Sequence, residues 1–193
     1  MRLWKKAIAA MTAGVLCVGS VGMTGLQGVL ESVGTVLSAS AEDKIYGDLS
    51  YDVTDAGEVV ITGYNGDAAT VEIPSEIDGK PVTSIGWSAF QNCTSLTTIT
   101  IPGSVKSVGW SAFKDCTGLT GITISNGVTI IEGSAFEGCT SLTAIAIPDS
   151  VMDIKYNAFK YCTGLKEISI SNGVTILDMS IFEGCTSCLL YTS

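Results

Sequence analysis

Histidine is absent from the 193 residues of this chain, and Arg2 is its only arginine. Histidine is the side chain that most often transfers protons near neutral pH, so Ser–His and Cys–His nucleophile pairs are excluded within this sequence. The planar guanidinium of arginine is the group that grips phosphates in two-point contacts. Its near absence argues against a nucleic-acid partner.

Positive charge of any kind is scarce, with 10 lysine and arginine residues against 19 aspartate and glutamate residues and a net charge of −9. Residues 42–193 keep 7 of the positive charges and 18 of the negative ones, which gives them a net charge of −11. Such an acidic chain is repelled by the phosphate backbone of DNA or RNA. We therefore expect no nucleic acid among its partners.

The first 41 residues have the pattern of a secretory signal peptide. A short basic segment, residues 1–6, precedes an apolar run over residues 7–30, and Ala39-Ser40-Ala41 offers small residues for cleavage. We expect export, with no membrane span in the mature chain. The alternative is an uncleaved anchor, since the apolar run is long enough to cross a bilayer.

A 23-residue period organises most of the remaining chain. It is carried by a phenylalanine series at Phe90, Phe113, Phe136, Phe159 and Phe182, and by a cysteine series at Cys93, Cys116, Cys139, Cys162 and Cys185. A fixed period of this length is typical of solenoids. We predict a right-handed solenoid of about five coils over residues 71–187.

Within one coil, Leu96, Ile99 and Ile101 follow the L-x-x-L-x-L pattern of a leucine-rich repeat, which predicts a short parallel strand on one face. The side chains between the inward ones point outward and form a candidate binding face, namely Thr98, Thr100, Thr123, Glu167 and Ser169. The alternative is that small and β-branched residues simply suit an exposed strand.

A second candidate site is the aromatic column at one repeat position, Trp87, Trp110 and Tyr156, which Gly133 interrupts and Met179 ends. Aromatic side chains on a rigid scaffold serve recognition by stacking or as anchors. The alternative is packing along the edge of the coil.

The five regularly spaced cysteines form a third group. Neighbouring coils lie roughly 4.8 Å apart, so distance alone permits disulfides. Equal positions on parallel coils have poor bridge geometry, however, and the number is odd. We interpret the series as a structural ladder of buried thiols.

Chemistry beyond binding has little support. There is no P-loop and no G-x-G-x-x-G motif, and a zinc site would lack histidine. Two pairs of carboxylates recur 46 residues apart: Glu132 with Asp178, and Glu137 with Glu183. Their expected separation, about 9.6 Å, borders on the carboxyl spacing of inverting glycosidases. We interpret them as solvated charges and expect a non-enzymatic protein without cofactor or metal.

Residues 42–70 differ from the repeat. Two β-prone runs, residues 49–53 and 58–62, flank the turn Thr54-Asp55-Ala56-Gly57, which predicts a β-hairpin. A solenoid needs a cover for the apolar end of its first coil. We predict that this segment is an N-terminal β cap.

The motif I-x-I-P-x-S-V-x-x-I/V-G-x-x-A-F-x-x-C-T-x-L, best kept at residues 99–119, resembles the BspA-like leucine-rich repeats of bacterial surface proteins. The departures are at 132, 155 and 178, where the glycine is replaced, and at 181. The resemblance implies a secreted or cell-surface solenoid that binds or adheres to a protein or surface glycan. Alternatives are a structural spacer, or accessory repeats of a larger enzyme; nothing indicates the oligomeric state.

The last six residues break the repeat. The register requires leucine at 188, where the sequence has Cys188, and residues 188–193 resemble one reading frame of a transposase adapter used in library preparation. We interpret them as a sequencing scar. In that case the solenoid is truncated after residue 187.

Overall fold

The computed structural model describes residues 44–186 and 188–192, so the predicted signal peptide lies outside the described residues. Over this part of the chain, the backbone winds as a solenoid. Each full coil contributes a four-residue strand to one face and a two-residue strand to the opposite face. In these same residues, no helix is both long and apolar enough to span a bilayer.

The solenoid begins with the predicted cap. Strands β1 (Lys44–Tyr46), β2 (Leu49–Val53) and β3 (Val59–Tyr64) form an antiparallel meander. Gly57 adopts a positive φ of 81° in the β2–β3 turn, a conformation that glycine accepts without steric cost. β3 then pairs in parallel with β6 (Lys80–Ile85), so the cap is hydrogen-bonded directly to the repeats.

The larger sheet continues through one short strand from each coil. After β6 it adds β8 (Ser107–Val108), β10 (Ile130–Ile131), β12 (Asp153–Ile154) and β14 (Ile176–Leu177), all parallel. The strand β5 (Glu76–Ile77) pairs with β6 at one end, through a turn in the longer first coil. Parallel strands therefore line this face as well as the predicted one.

The opposite face carries two separate three-stranded parallel sheets. The first contains β4 (Thr70–Glu72), β7 (Thr98–Ile101) and β9 (Gly121–Ile124). The second contains β11 (Ala144–Ile147), β13 (Glu167–Ile170) and β15 (Leu189–Thr192). β9 and β11 are neighbours along the solenoid, but no ladder joins them in the described residues. The predicted strand face is therefore divided in two.

Strand β15 lies in the segment that is predicted to be a sequencing scar. Its residues, Leu189–Thr192, pair in parallel with β13. A β-prone segment next to the exposed edge of a sheet finds unpaired backbone groups there, whatever the origin of its sequence.

The core is a stack of phenylalanine rings flanked by inward aliphatic side chains. Phe90, Phe113, Phe136 and Phe159 are fully buried, and consecutive ring centroids lie 4.9–5.3 Å apart. Tyr64 of the cap stacks on Phe90 at 5.3 Å, so the cap covers the first ring of the ladder. This arrangement confirms the predicted solenoid with its parallel strands and N-terminal cap.

Candidate functional site

The aromatic column lies where each coil leaves its short strand. After β6 the chain passes through Gly86 and Trp87, and the next residue, Ser88, has a positive φ of 55°. Asn157 holds the same conformation after Tyr156, with φ of 59°. This left-handed residue turns the chain, so the phenylalanine two residues later enters the core while the aromatic residue before the turn stays outside.

Two of the three predicted aromatic residues touch each other, although they lie two coils apart. The rings of Trp110 and Tyr156 meet edge to face, with centroids 4.9 Å apart and planes at 78°. Gly133 lies between them, and a Cβ at this position would come within 3.2–3.3 Å of both rings. The missing side chain at Gly133 therefore makes room for the contact.

The third member, Trp87, joins Trp110 in lining a pocket of about 450 Å³, together with Gly109 and Glu132. Trp87 is 77% exposed and Trp110 is 42% exposed. Most tryptophan side chains in folded proteins are largely buried. An exposed pair beside a carboxylate is therefore a candidate binding site.

Gly109 is required by the backbone beneath the pocket. A Cβ there would lie 2.5 Å from the carbonyl oxygen of Ile85 and 2.9 Å from the backbone of Gly86. The coils thus approach too closely at this position for any side chain. Glycine at 109 therefore permits the close approach of the coils that carry Trp87 and Trp110.

Glu132 is the charged residue of the pocket lining, and it also acts on Lys155 of the next coil. The Lys155 ammonium is paired with the Asp153 carboxylate. The pKa of Lys155 is raised, first by that hydrogen bond and further by the charges of Asp153, Asp178 and Glu132. Of these three carboxylates, Asp153 is in contact with Lys155 and Glu132 lines the pocket.

The predicted strand face is split between the two small sheets. Thr98 and Thr100 lie on β7 and Thr123 on β9, whereas Glu167 and Ser169 lie on β13. The Thr98 hydroxyl donates a hydrogen bond of 2.9 Å to the hydroxyl of Thr70 on the neighbouring strand. The structure therefore places these five residues on one face but does not gather them into a single site.

A shallow cleft of about 330 Å³ opens at the break between the two sheets. Its lining consists of small and aliphatic residues with one carboxylate: Ile122, Ala144, Ile145, Ala146, Glu167 and Ser169. Of the predicted face, only Glu167 and Ser169 contribute to this cleft. It offers few of the convergent polar groups that fix a ligand.

The cysteine series lies along the inside of the turn that closes each coil. Cys116, Cys139 and Cys162 are buried, and Cys93 and Cys185 are partly buried. The Cys139 thiol donates to the carbonyl oxygen of Phe113 at 3.2 Å, and the Cys162 thiol donates to that of Phe136 at 3.1 Å. A hydrogen bond with the Cys93 sulfur raises the pKa of Cys116, and burial raises it further, so this thiol is a poor nucleophile.

The recurring carboxylates Glu137 and Glu183 are each paired with lysine. Glu137 lies 3.0 Å from the Lys114 ammonium and Glu183 lies 2.9 Å from that of Lys160. The ion pair with Lys160 lowers the pKa of Glu183. A general acid needs a raised pKa to hold its proton near neutral pH, so Glu183 does not suit that role. In the described residues, no group of three or more Cys, Asp or Glu side chains is arranged to hold a metal ion.

Glu132 and Gly109 belong to the pocket but were not among the predicted site residues. A signal was present in the sequence: glycine precedes tryptophan in the first two coils, at 86 and 109, and glutamate replaces it at 132. Glu132 is the first residue of this series with a side chain, so it introduces a carboxylate beside the aromatic column.

The sequence profile of the BspA-type leucine-rich-repeat region matches residues 64–189 in six copies, which is more than half of the chain. No functionally curated protein matches. The structure is similar to a Treponema pallidum leucine-rich-repeat protein, with 31% identity and a TM-score of 0.74, over 77% of this chain and 71% of that one.

Two further solved structures are similar. One is a leucine-rich cell surface protein of Faecalibacterium prausnitzii, with 31% identity, a TM-score of 0.71, and coverage of 81% of this chain and 44% of that one. The other is a leucine-rich-repeat protein of Bacteroides ovatus, with 33% identity, a TM-score of 0.70, and coverage of 78% and 41%. This chain spans less than half the length of either protein. By profile and structure alike, it belongs to the BspA-type leucine-rich-repeat family.

Proposed function

We propose that the chain is an exported, non-catalytic protein of the bacterial cell surface, and that it binds a partner protein through the pocket between Trp87 and Trp110. Three observations support a surface location and a binding role. The first 41 residues have a signal-peptide pattern, a similar solved structure is described as a cell surface protein, and leucine-rich repeats present extended binding surfaces.

The exposed aromatic pair carries the proposal. Binding energy at protein interfaces concentrates in a few residues, with tryptophan, tyrosine and arginine enriched among them. Trp110 is braced by Tyr156, so little side-chain freedom remains to be lost when a partner packs on it. A spacer would gain nothing from leaving Trp87 77% exposed to water.

The test compares the full chain with Trp87→Ala on arrayed extracellular proteins and arrayed glycans, using biolayer interferometry to measure affinities. Because Trp87 is exposed, its removal should leave the fold intact, and circular dichroism checks this. We expect a protein ligand whose affinity falls about 30-fold in the variant, the effect of losing a hot spot of roughly 2 kcal/mol.

Tyr46→Ala is the matched control, because Tyr46 is an exposed aromatic residue of the cap, outside the column. Its affinity should equal that of the unaltered chain. If every protein ligand binds Trp87→Ala as tightly as the unaltered chain, the pocket is not the binding site and the spacer function is favoured. Glycan binding that depends on Trp87 would replace the proposed partner class.

A further inference from the structure

The pocket also indicates which chemical group of the partner it receives. We propose that it binds a cationic side chain, lysine or arginine, between Trp87 and Trp110 and beside Glu132. This inference rests on the proposed function and deepens it, since it names the anchor of the partner protein.

The aromatic lining is the first observation behind this choice. An ammonium or guanidinium group is attracted to the electron-rich face of an aromatic ring, and tryptophan is the strongest partner of this kind. Two tryptophans line the same pocket of about 450 Å³, which is large enough for the end of a long side chain. Contact with Tyr156 fixes one of the two indoles.

The carboxylate in the lining is the second observation. Glu132 lines the pocket, and no ion pair of Glu132 with a lysine is found in the described part of the chain. The nearby ammonium, Lys155, is already bound by Asp153. An occupant that covers Glu132 must therefore supply hydrogen-bond donors, or leave a desolvated charge without a partner.

The surroundings decide between a cation and a neutral donor. The ion pair of Asp153 with Lys155 neutralises the ammonium in the next coil, so the Glu132 carboxylate in the pocket lining keeps a negative charge without an ion-pair partner in the described residues. A sugar hydroxyl would satisfy Glu132 but not this charge, whereas a cationic side chain satisfies both.

The test follows the indole N–H signals of Trp87 and Trp110 in the ¹⁵N-labelled full chain by NMR. The probes are N-acetyl-arginine methylamide and its neutral isostere N-acetyl-citrulline methylamide. We expect the arginine probe to shift both signals and to bind on the order of tenfold more tightly than the citrulline probe. Added salt should weaken arginine binding and leave citrulline binding unchanged.

Glu132→Gln removes the charge and keeps the shape, so the preference for arginine should fall to within about twofold. Glu167→Gln is the matched control, because it removes one carboxylate from the strand face, outside the pocket, and should retain the full preference. Equal binding of the two probes, or an unchanged preference in Glu132→Gln, would overturn the inference.

Titration with methyl β-glucoside separates the remaining cases. If this sugar shifts the two indole signals at lower concentrations than the arginine probe, the pocket recognises glycans and the cationic anchor is wrong. If the arginine probe does not bind while a protein ligand still depends on Trp87 in the array experiment, the proposed function stands. In that case only the cationic anchor is wrong.

Discussion

Phe136 lies in the middle of the phenylalanine ladder, and its replacement by leucine measures what ring stacking contributes to the solenoid. Its side chain is fully buried, and its ring stacks on Phe113 and Phe159 with centroids 5.3 Å from each. The planes are nearly parallel, at 5° and 10°. Phe136→Leu keeps most of the apolar volume but removes both ring contacts.

The expected loss follows from these contacts. An aromatic pair contributes about 0.5–1.5 kcal/mol beyond the area it buries, so losing two pairs should lower the free energy of unfolding by about 1–3 kcal/mol. Phe136→Ala, which also leaves a cavity, should lower it by about 3–5 kcal/mol. In a solenoid such losses are felt by the neighbouring coils as well.

Phe182 supplies the comparison within the same ladder. It is only partly buried, and its described ring contact is with Phe159 at 5.8 Å. Phe182→Leu should therefore cost about 0.5–1.5 kcal/mol, less than Phe136→Leu. Urea unfolding of the full chain, followed by far-UV circular dichroism, gives both values. If the two leucine variants are equally stable, ring stacking along the ladder is not a source of stability.

Two further predictions concern the turns and the thiols. Gly118→Ala should lower the free energy of unfolding by about 1–3 kcal/mol, because a Cβ there would lie 2.2 Å from the Thr94 carbonyl oxygen. Gly121→Ala should be tolerated, since a Cβ there meets only ordinary contacts. The midpoints of urea unfolding test both variants. The neighbouring Cys139 sulfur raises the pKa of Cys162. The free energy of unfolding should therefore stay constant below about pH 8.5, where the thiol is neutral in both states, and should fall above it, because the thiol then ionises only in the unfolded chain. Cys162→Ala should make this fall smaller, as measured by urea unfolding at several pH values.

The solenoid could be predicted because one short sequence pattern recurs in every coil. Inward residues such as Ile99 and Ile101, and the ring of Phe113, recur at fixed offsets, so each coil confirms the interpretation of the others. The hairpin of the cap was equally accessible, since Gly57 ends a short turn between two β-prone runs. These features depend on local sequence and on a period, both of which can be read without coordinates.

The second parallel face was not predicted, because its strands are too short to carry a pattern. Ser107–Val108 and Ile130–Ile131 are two residues each, and alternation needs at least four residues to be recognised. The left-handed residues that shape the turns were missed for a different reason. Asn92 and Asn157 suit such a conformation, but Ser111 and Tyr161 give no warning of their positive φ.

The aromatic column was predicted from its spacing, but its grouping into a pocket was not. Sequence spacing places Trp87, Trp110 and Tyr156 in one line, without showing which of them touch. The contact between Trp110 and Tyr156 depends on the empty space at Gly133, and the floor of the pocket depends on how closely the backbone approaches Gly109. Both are distances between coils, which a one-dimensional period does not contain.

Specific recognition by a regular scaffold must come from the positions where its repeats differ. At the two positions that begin the aromatic turn, successive coils read Gly86-Trp87, Gly109-Trp110, Glu132-Gly133, Lys155-Tyr156 and Asp178-Met179. The third coil has a charged residue where the first two coils have glycine, and a glycine where those two coils have tryptophan. A tryptophan at 133 would occupy the space in which Trp110 meets Tyr156, and a glycine at 132 would leave the pocket without its carboxylate. This single exchange turns a repeated row of aromatic residues into a site with one defined position along the solenoid.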